Sequence, residues 1–170
     1  VATGDEPLTA SHPEIPAEHA IRGFDAVRAY AFDPEQSRLF LQQALGFGAV
    51  DAADPGAAGT VAGAAAAWEV RGAQRGGLYA LDPAPAERGQ GGAGTVHHVA
   101  WSTRSDEQEA WQQRMARAGA RPTEVIDRFW FRSVYFREPS GVLFELATMG
   151  PGFKLDIASF GGMTVAQQAA

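Results

Sequence analysis

The sequence contains no cysteine, which excludes disulfide bridges and metal sites built on thiolate ligands. It also lacks any apolar run long enough to span a bilayer, and no secretory signal pattern is visible near its start. These absences predict a cytoplasmic protein that does not use a membrane as a partner.

Positive charge is scarce. Lysine and arginine total 14 against 20 aspartates and glutamates, for a formal net charge of -6. This balance argues against nucleic acid and anionic membranes as partners. The 170 residues, 45% hydrophobic and 20% charged, are typical of a soluble globular protein made of one domain or of two small repeats sharing a core.

The remaining pattern is a two-fold repeat. In each half, a strand is followed by a capped helix, a glycine and three further strands. Aligning Val27 with Val99 matches the two first strands and brings Gly46 within one residue of Gly119. We predict an α+β fold of two βαβββ units that form a curved mixed sheet with the helices outside, because one unit alone cannot cover its own sheet.

The repeat divides the chain into four segments. Residues 1–20 are predicted to be a linker, 21–88 the first unit, 94–153 the second unit and 154–170 a loose C-terminal tail. The glycine run at 89–94 precedes a strand rather than opening a helix, so we interpret it as a connector and not as a phosphate loop.

Local signals predict several element ends. Asp33 is placed to cap the first helix, and Ser105 with Gln108 forms the pattern of a capping box at the second. The segments 123–127 and 129–137 are predicted to be strands, and Pro139-Ser140-Gly141 predicts a tight turn into the last strand.

A histidine pair and an isolated acid indicate a metal site. The segment 94–101 is predicted to be a strand, in which alternation places His98 on one face and His97 on the other. Glu145 lies alone among the apolar residues of the strand predicted at 141–148. A carboxylate is costly to bury unless it is paired or binds a metal, so His98 and Glu145 are candidate metal ligands. His98 could also be an ordinary half-buried strand histidine.

The first unit lacks this pattern. In the repeat alignment Ala26 occupies the position of His98, and Leu81 falls near that of Glu145. The first unit is therefore predicted to keep the architecture without carrying metal ligands. His12 and His19, the other histidines of the chain, lie in the proline-containing N-terminal segment and are interpreted as solvated residues.

The chain also resembles a known family over nearly its whole length. It resembles the hydroquinone-type ring-cleaving dioxygenases of the vicinal oxygen chelate superfamily, which includes glyoxalases, bleomycin-resistance proteins and extradiol dioxygenases. The segment Pro16 to Gly23 is similar to the start of the second half of those enzymes, which are about twice as long. The strongest similarity lies in residues 95–101, 127–148 and 150–153.

The resemblance implies Fe(II) held by two histidines and one glutamate, with Mn, Zn or Ni as alternative metals. His98 and Glu145 match one histidine and the glutamate. The other histidine belongs to the N-terminal half of such enzymes, so a missing N-terminal half or another chain would supply the third ligand. The chain is then expected to be a C-terminal half that is inactive alone, and a homo-oligomer is left open.

The resemblance also implies catalytic roles for Tyr135 and Arg128, with His97 beside the metal ligand. Each has an ordinary alternative. Tyr135 is a good strand former, and Arg128 could form a surface salt bridge with a neighbouring acid. His97 could be structural and pack near the helix with Trp101, since it would need a bulge or a close strand neighbour to reach the metal from the opposite face.

Three functions are consistent with these residues. The first is a non-haem Fe(II)-dependent extradiol-type dioxygenase that cleaves a substituted hydroquinone or catechol with O₂. The second is a glyoxalase-like metal-dependent lyase or isomerase, although the single Glu145 and the absence of a carboxylate at the Leu81 position count against it. The third is a metal-free small-molecule-binding or dimerisation module of the same fold.

Overall fold

The computed structural model describes residues 5–53, 60–72, 75–87 and 89–152. Contacts divide the chain into two units, the first reaching His97 and including Glu138–Val142, and the second comprising His98–Arg137 and the chain from Leu143 onwards. No helix in these described ranges is both long enough and apolar enough to cross a membrane. The tail predicted at 154–170 lies outside them.

The first unit contains a four-stranded sheet in the order β1-β4-β3-β2. Strands β1 and β4 are parallel, and the other neighbours are antiparallel. The predicted cap is confirmed, because Asp33 Oδ1 accepts a hydrogen bond of 3.1 Å from the Glu35 amide. The elements are β1 Ala26–Ala31, α1 Glu35–Leu39 continued by a π-helical turn Phe40–Ala44, β2 Gly48–Val50, β3 Ala66–Arg71 and β4 Gly76–Pro83.

The second unit repeats this arrangement in the order β5-β8-β7-β6, with β5 parallel to β8. Helix α2 packs on β7 and β8, with Met115 fully buried. The predicted fold of two βαβββ units is thus confirmed. The elements are β5 Val99–Thr103, a 3-10 turn Ser105–Glu107, α2 Gln108–Arg117, β6 Ile126–Asp127, β7 Arg132–Arg137 and β8 Leu143–Thr148.

The predicted strand at 129–137 begins too early, since β7 starts only at Arg132. Residues 127–131 form a tight loop instead. The Phe129 amide donates to Asp127 Oδ1 at 2.8 Å, and the Arg128 amide donates to the Phe131 carbonyl at 2.8 Å. Phe129 adopts a φ of 72°, which is unusual for a bulky residue and incompatible with a strand.

The predicted capping box at Ser105 and Gln108 is wrong, because neither helix start there has a side-chain cap. Gln108 is fully buried and bonds into the sheet: its Nε2 donates to the Leu146 carbonyl at 2.7 Å, and its Oε1 accepts from Thr103 Oγ1 at 2.6 Å. Buried polar partners outweigh a local cap, since an unpaired buried amide is costly.

The N-terminal segment, expected to be a linker, is hydrogen-bonded to the rest of the first unit. The Ala10 amide donates to the Ile21 carbonyl at 2.8 Å, which pairs the two arms of this segment. Asp5 forms a salt bridge of 2.9 Å with Arg71 at the end of β3. These contacts attach its described part to the end of β3 in the first sheet.

The strand registers refine the comparison of the two units. Glu145 lies opposite Ala100 in the β5–β8 pair, and Ala80 lies opposite Arg28 in the β1–β4 pair. With Val27 aligned to Val99, the counterpart of Glu145 is therefore Ala80 and not Leu81. A shift of one residue in a strand moves a side chain to the opposite face.

The equivalent face of the first unit is closed by its own chain. The counterparts of His98, Tyr135 and Glu145 are three alanines, which pack in one apolar cluster with the fully buried Val61. Arg28 holds the segment around Val61 by donating to the Thr60 carbonyl at 3.0 Å and the Ala62 carbonyl at 3.2 Å. The three alanines are Ala26, Ala67 and Ala80.

Candidate metal and substrate site

Three strands bring the predicted residues of the second unit to one face of its sheet. Tyr135 on β7 lies directly opposite Glu145 on β8. His98 immediately precedes β5 and shares a face with Ala100, which pairs with Glu145 from the other side. The central strand β8 therefore presents Glu145 between His98 and Tyr135.

The side chains of these residues are in contact. His98 Nε2 lies 2.9 Å from Glu145 Oε2, and the two side chains are 33% and 4% exposed. The His98 and Tyr135 rings meet edge to face with centroids 5.6 Å apart. The Arg128 guanidinium carbon lies 5.7 Å from the Tyr135 ring centroid. The carboxylate is thus buried, while the imidazole remains accessible from one side.

The second oxygen of Glu145 indicates what this site can bind. Glu145 Oε1 is buried and accepts no hydrogen bond within the described chain. An unsatisfied buried carboxylate oxygen is costly, and a cation at the His98–Glu145 pair would satisfy it. Across the described ranges, no group of three or more His, Cys, Asp or Glu side chains is placed to hold a metal. The donor chemistry of His98 and Glu145 is thus compatible with two ligands of a divalent metal, and the described residues place no third such side chain beside them.

The Tyr135 phenol is held in its protonated form. Burial raises its pKa above the usual range, and the adjacent Glu145 carboxylate raises it further. Ser133 and Arg128 act in the opposite direction without reversing the shift. At neutral pH this phenol is accordingly a hydrogen-bond donor.

Ser133 is a residue that the sequence analysis did not single out. It is fully buried, lies two residues before Tyr135 on the same face of β7, and lowers the pKa of the Tyr135 phenol. Strand alternation could have placed it beside Tyr135, but only the structure shows that it is buried there.

The other histidines are exposed. His97 directly precedes His98 and is grouped with the first unit, whereas His98 begins the second. His12 and His19 are exposed in the N-terminal segment, where His12 Nδ1 accepts a hydrogen bond of 3.2 Å from the Glu14 amide. Three of the five predicted site residues, His98, Glu145 and Tyr135, thus meet on one face, and Arg128 contacts the Tyr135 ring from the loop before β7. The functional roles of all five stay predictions.

Comparison with known proteins agrees with the fold and the repeat. The sequence profile of the Glyoxalase/Bleomycin resistance protein/Dioxygenase superfamily matches residues 23–146. The chain belongs to this superfamily. Membership implies a metal cofactor, in keeping with the donor pair His98 and Glu145.

Individual relatives of the chain are named as dioxygenases. The chain is 38% identical over 142 residues to "Putative ring-cleaving dioxygenase MhqE" of Bacillus subtilis strain 168, over 84% of this chain and 44% of that protein. A crystal structure of a "putative dioxygenase" from Bacillus subtilis subsp. subtilis strain 168 matches with a TM-score of 0.72 and 33% identity, over 88% of this chain and 45% of that one. The chain thus spans about half the length of these relatives.

A third likeness concerns the fold alone. The crystal structure of a glyoxalase/dioxygenase from Nostoc punctiforme matches with a TM-score of 0.61 at 17% identity, over 81% of this chain and 98% of that one. The same pair of βαβββ units therefore also makes up nearly the whole of a solved chain.

Proposed function

We propose that this chain belongs to a ring-cleaving dioxygenase of the extradiol type, which uses non-haem Fe(II) and O₂ to open a substituted hydroquinone or catechol. The observation that carries the proposal is the contact of 2.9 Å between His98 Nε2 and the buried Glu145 carboxylate, on a face that also holds Tyr135. The names of the relatives at 33–38% identity support the reaction class.

His98 and Glu145 would hold the iron through an imidazole nitrogen and a carboxylate oxygen, a ligand set that suits Fe(II) in oxygenases. Bound there, iron would supply a centre at which an ionised phenol and O₂ are brought together. The buried position of Glu145 fixes its carboxylate on the central strand. The partly exposed His98 leaves this face open to a small molecule.

Tyr135 and Arg128 would act on the substrate. The protonated Tyr135 phenol can donate a hydrogen bond to a substrate oxygen and can deliver a proton there. The Arg128 guanidinium, next to the Tyr135 ring, can stabilise negative charge that develops on the ring being cleaved. His97 is proposed as a neighbour of the metal ligands in the assembled enzyme.

The third iron ligand would come from outside the described ranges. The described residues place only His98 and Glu145 together, and their counterparts in the first unit are alanines sealed in an apolar cluster. The relatives are about twice as long, so an N-terminal half of that kind, or another chain, is the proposed source. The competing function is a metal-free binding module, which the two-ligand geometry would also fit.

Anaerobic Fe(II) titration separates these functions. We expect the chain to bind one equivalent weakly, and His98→Ala or Glu145→Gln to abolish binding, because each removes one of only two ligands. His19→Ala is the matched control, since it removes an exposed histidine that belongs to the first unit. Binding that survives both site substitutions, or no binding at all, would favour the metal-free module.

A further inference from the structure

A pocket of ≈ 470 Å³ lies in the second unit next to the candidate metal site. Its volume falls within the range of small-molecule sites. We call it the Tyr135 pocket, because Tyr135 belongs both to its wall and to the contacts around Glu145. Its lining residues are Gly119, Ala120, Arg121, Thr123, Tyr135, Phe136, Arg137 and Leu143.

The Tyr135 pocket lies along the sheet face that carries His98 and Glu145. Tyr135 and Arg137 lie two residues apart on β7, so their side chains share one side of the sheet. Leu143 lies opposite Arg137, as Glu145 lies opposite Tyr135. A molecule beside Glu145 and Tyr135 can therefore extend along the same face towards Arg137 and Leu143.

A second segment supplies the opposite wall. The Tyr135 amide donates to Thr123 Oγ1 at 3.0 Å, and the Thr123 amide donates back to the Tyr135 carbonyl at 2.9 Å. These two bonds hold the chain around Arg121 and Thr123 alongside β7. Arg121 is thus fixed on the same pocket as Arg137.

The chemistry of this pocket suits an anion attached to an apolar ring. Its lining includes two guanidinium groups, from Arg121 and Arg137, and no carboxylate. That excess of positive charge contrasts with the net charge of -6 of the whole chain. Guanidinium groups recognise carboxylates through paired charge-assisted hydrogen bonds. Leu143 adds apolar surface for the ring.

We propose that the Tyr135 pocket binds a carboxylate substituent of the aromatic substrate. This inference rests on the proposed function, and it narrows the substrate class to hydroquinones or catechols that carry a carboxylate. The ring lies towards Tyr135 and Glu145, and the carboxylate pairs with Arg121 and Arg137. Those two arginines then determine substrate specificity without contacting the metal.

The test compares two probes that differ by one carboxylate, 2,5-dihydroxybenzoate and hydroquinone, binding to the metal-free 170-residue chain. Chemical-shift titration by NMR gives both affinities. We expect the carboxylate to improve binding about tenfold, the effect of a charge-assisted hydrogen-bonded pair. Arg121→Gln and Arg137→Gln should each remove most of that preference. Arg117→Gln, which makes the same charge change on α2 away from the pocket, should leave it intact.

The inference is overturned if the two probes bind equally, or if Arg117→Gln lowers the preference as much as the pocket variants do. It is also overturned if acetate or inorganic phosphate binds as tightly as 2,5-dihydroxybenzoate, because the pocket would then be a general anion site. His98→Ala distinguishes failure of the inference from failure of the proposed function. This variant should lose Fe(II) binding while keeping the preference for the carboxylate, since the two measurements depend on different side chains.

Discussion

Glu145 is the residue on which the candidate site depends. Its burial in an apolar strand carries an electrostatic cost, and in this structure His98 is the partner that offsets part of that cost. One carboxylate oxygen nevertheless remains without a hydrogen bond within the described chain. Such an incompletely satisfied acid is typical of a position retained for function rather than for stability.

Substitutions of His98 and of Glu145 should therefore change the free energy of unfolding by different amounts. His98→Ala leaves a buried carboxylate without its partner and should lower the free energy of unfolding by about 1–3 kcal/mol. Glu145→Leu removes the buried charge and should be close to neutral, because an apolar side chain can fill the same space. Urea unfolding of both variants provides the measurement, with His19→Ala as control. A larger loss in Glu145→Leu than in His98→Ala would contradict this account.

A second ionisable group belongs to the core of the first unit. Tyr79 is fully buried, and this burial raises the pKa of its phenol above the usual range. The nearby Glu138 carboxylate adds to the effect. Glu138 is itself buried, where it accepts hydrogen bonds from the Ser37 hydroxyl and, at 3.1 Å, from the Val142 amide.

The raised pKa of Tyr79 predicts a loss of stability in alkali. The unfolded phenol ionises near pH 10, whereas the folded one stays protonated at that pH. Above about pH 10 the folded state thus binds more protons, so the free energy of unfolding falls as the pH rises further. Tyr79→Phe should show a shallower fall between about pH 8 and about pH 11, measured by urea unfolding. The pKa of Tyr135 is also raised, so some dependence should remain. Identical curves for the two proteins would refute this prediction.

At the level of elements, the two sheets use one topology for different purposes. In the second unit the face of β8 presents Glu145 beside Tyr135. In the first unit the matching face of β4 presents Ala80 beside Ala67, and Val61 packs on both within one cluster. Small side chains leave the space that the segment around Val61 fills. In the first unit this face is therefore part of an apolar cluster.

This packing can be tested at Val61. Val61→Ala should open a cavity over the alanine face and lower the free energy of unfolding by about 1–3 kcal/mol. Val96→Ala removes the same atoms from a side chain that is 84% exposed and should change stability little. Thermal unfolding of both variants measures this difference in stability. Equal shifts in the unfolding temperature would mean that Val61 does not seal this face.

At the scale of the whole molecule, the proposed iron site would need a third ligand. If that ligand lies in the part of MhqE that this chain does not match, joining this part to the N-terminal side of Val1 should supply it. Fe(II) should then bind more tightly than to the chain alone, because a third ligand completes the set that suits Fe(II) oxygenases. Removal of the iron with a chelator should abolish turnover of a hydroquinone. Anaerobic titration of the fusion, with and without His98→Ala, gives the measurement. An affinity equal to that of the unfused chain would count against a shared site.

Local patterns alone were enough to predict the two βαβββ units. Period-two alternation and capping residues such as Asp33 act over a few neighbouring residues, so they can be read from the sequence. The isolated acid at Glu145 likewise indicated a site, since an apolar strand has few other uses for a carboxylate. Family resemblance then added Tyr135 and Arg128, which the structure places within contact of that site.

Other features depended on partners that are remote in the sequence. The β1–β4 register made Ala80, not Leu81, the counterpart of Glu145. Gln108 does not form the predicted capping box, because its side chain donates to the distant Leu146 carbonyl. The pocket that brings Arg121 near Arg137 involves Thr123, which is hydrogen-bonded to Tyr135 of β7. Pairing across the folded chain sets the neighbour of each strand, its register and the partners of its buried polar groups. Local sequence carries little of that information.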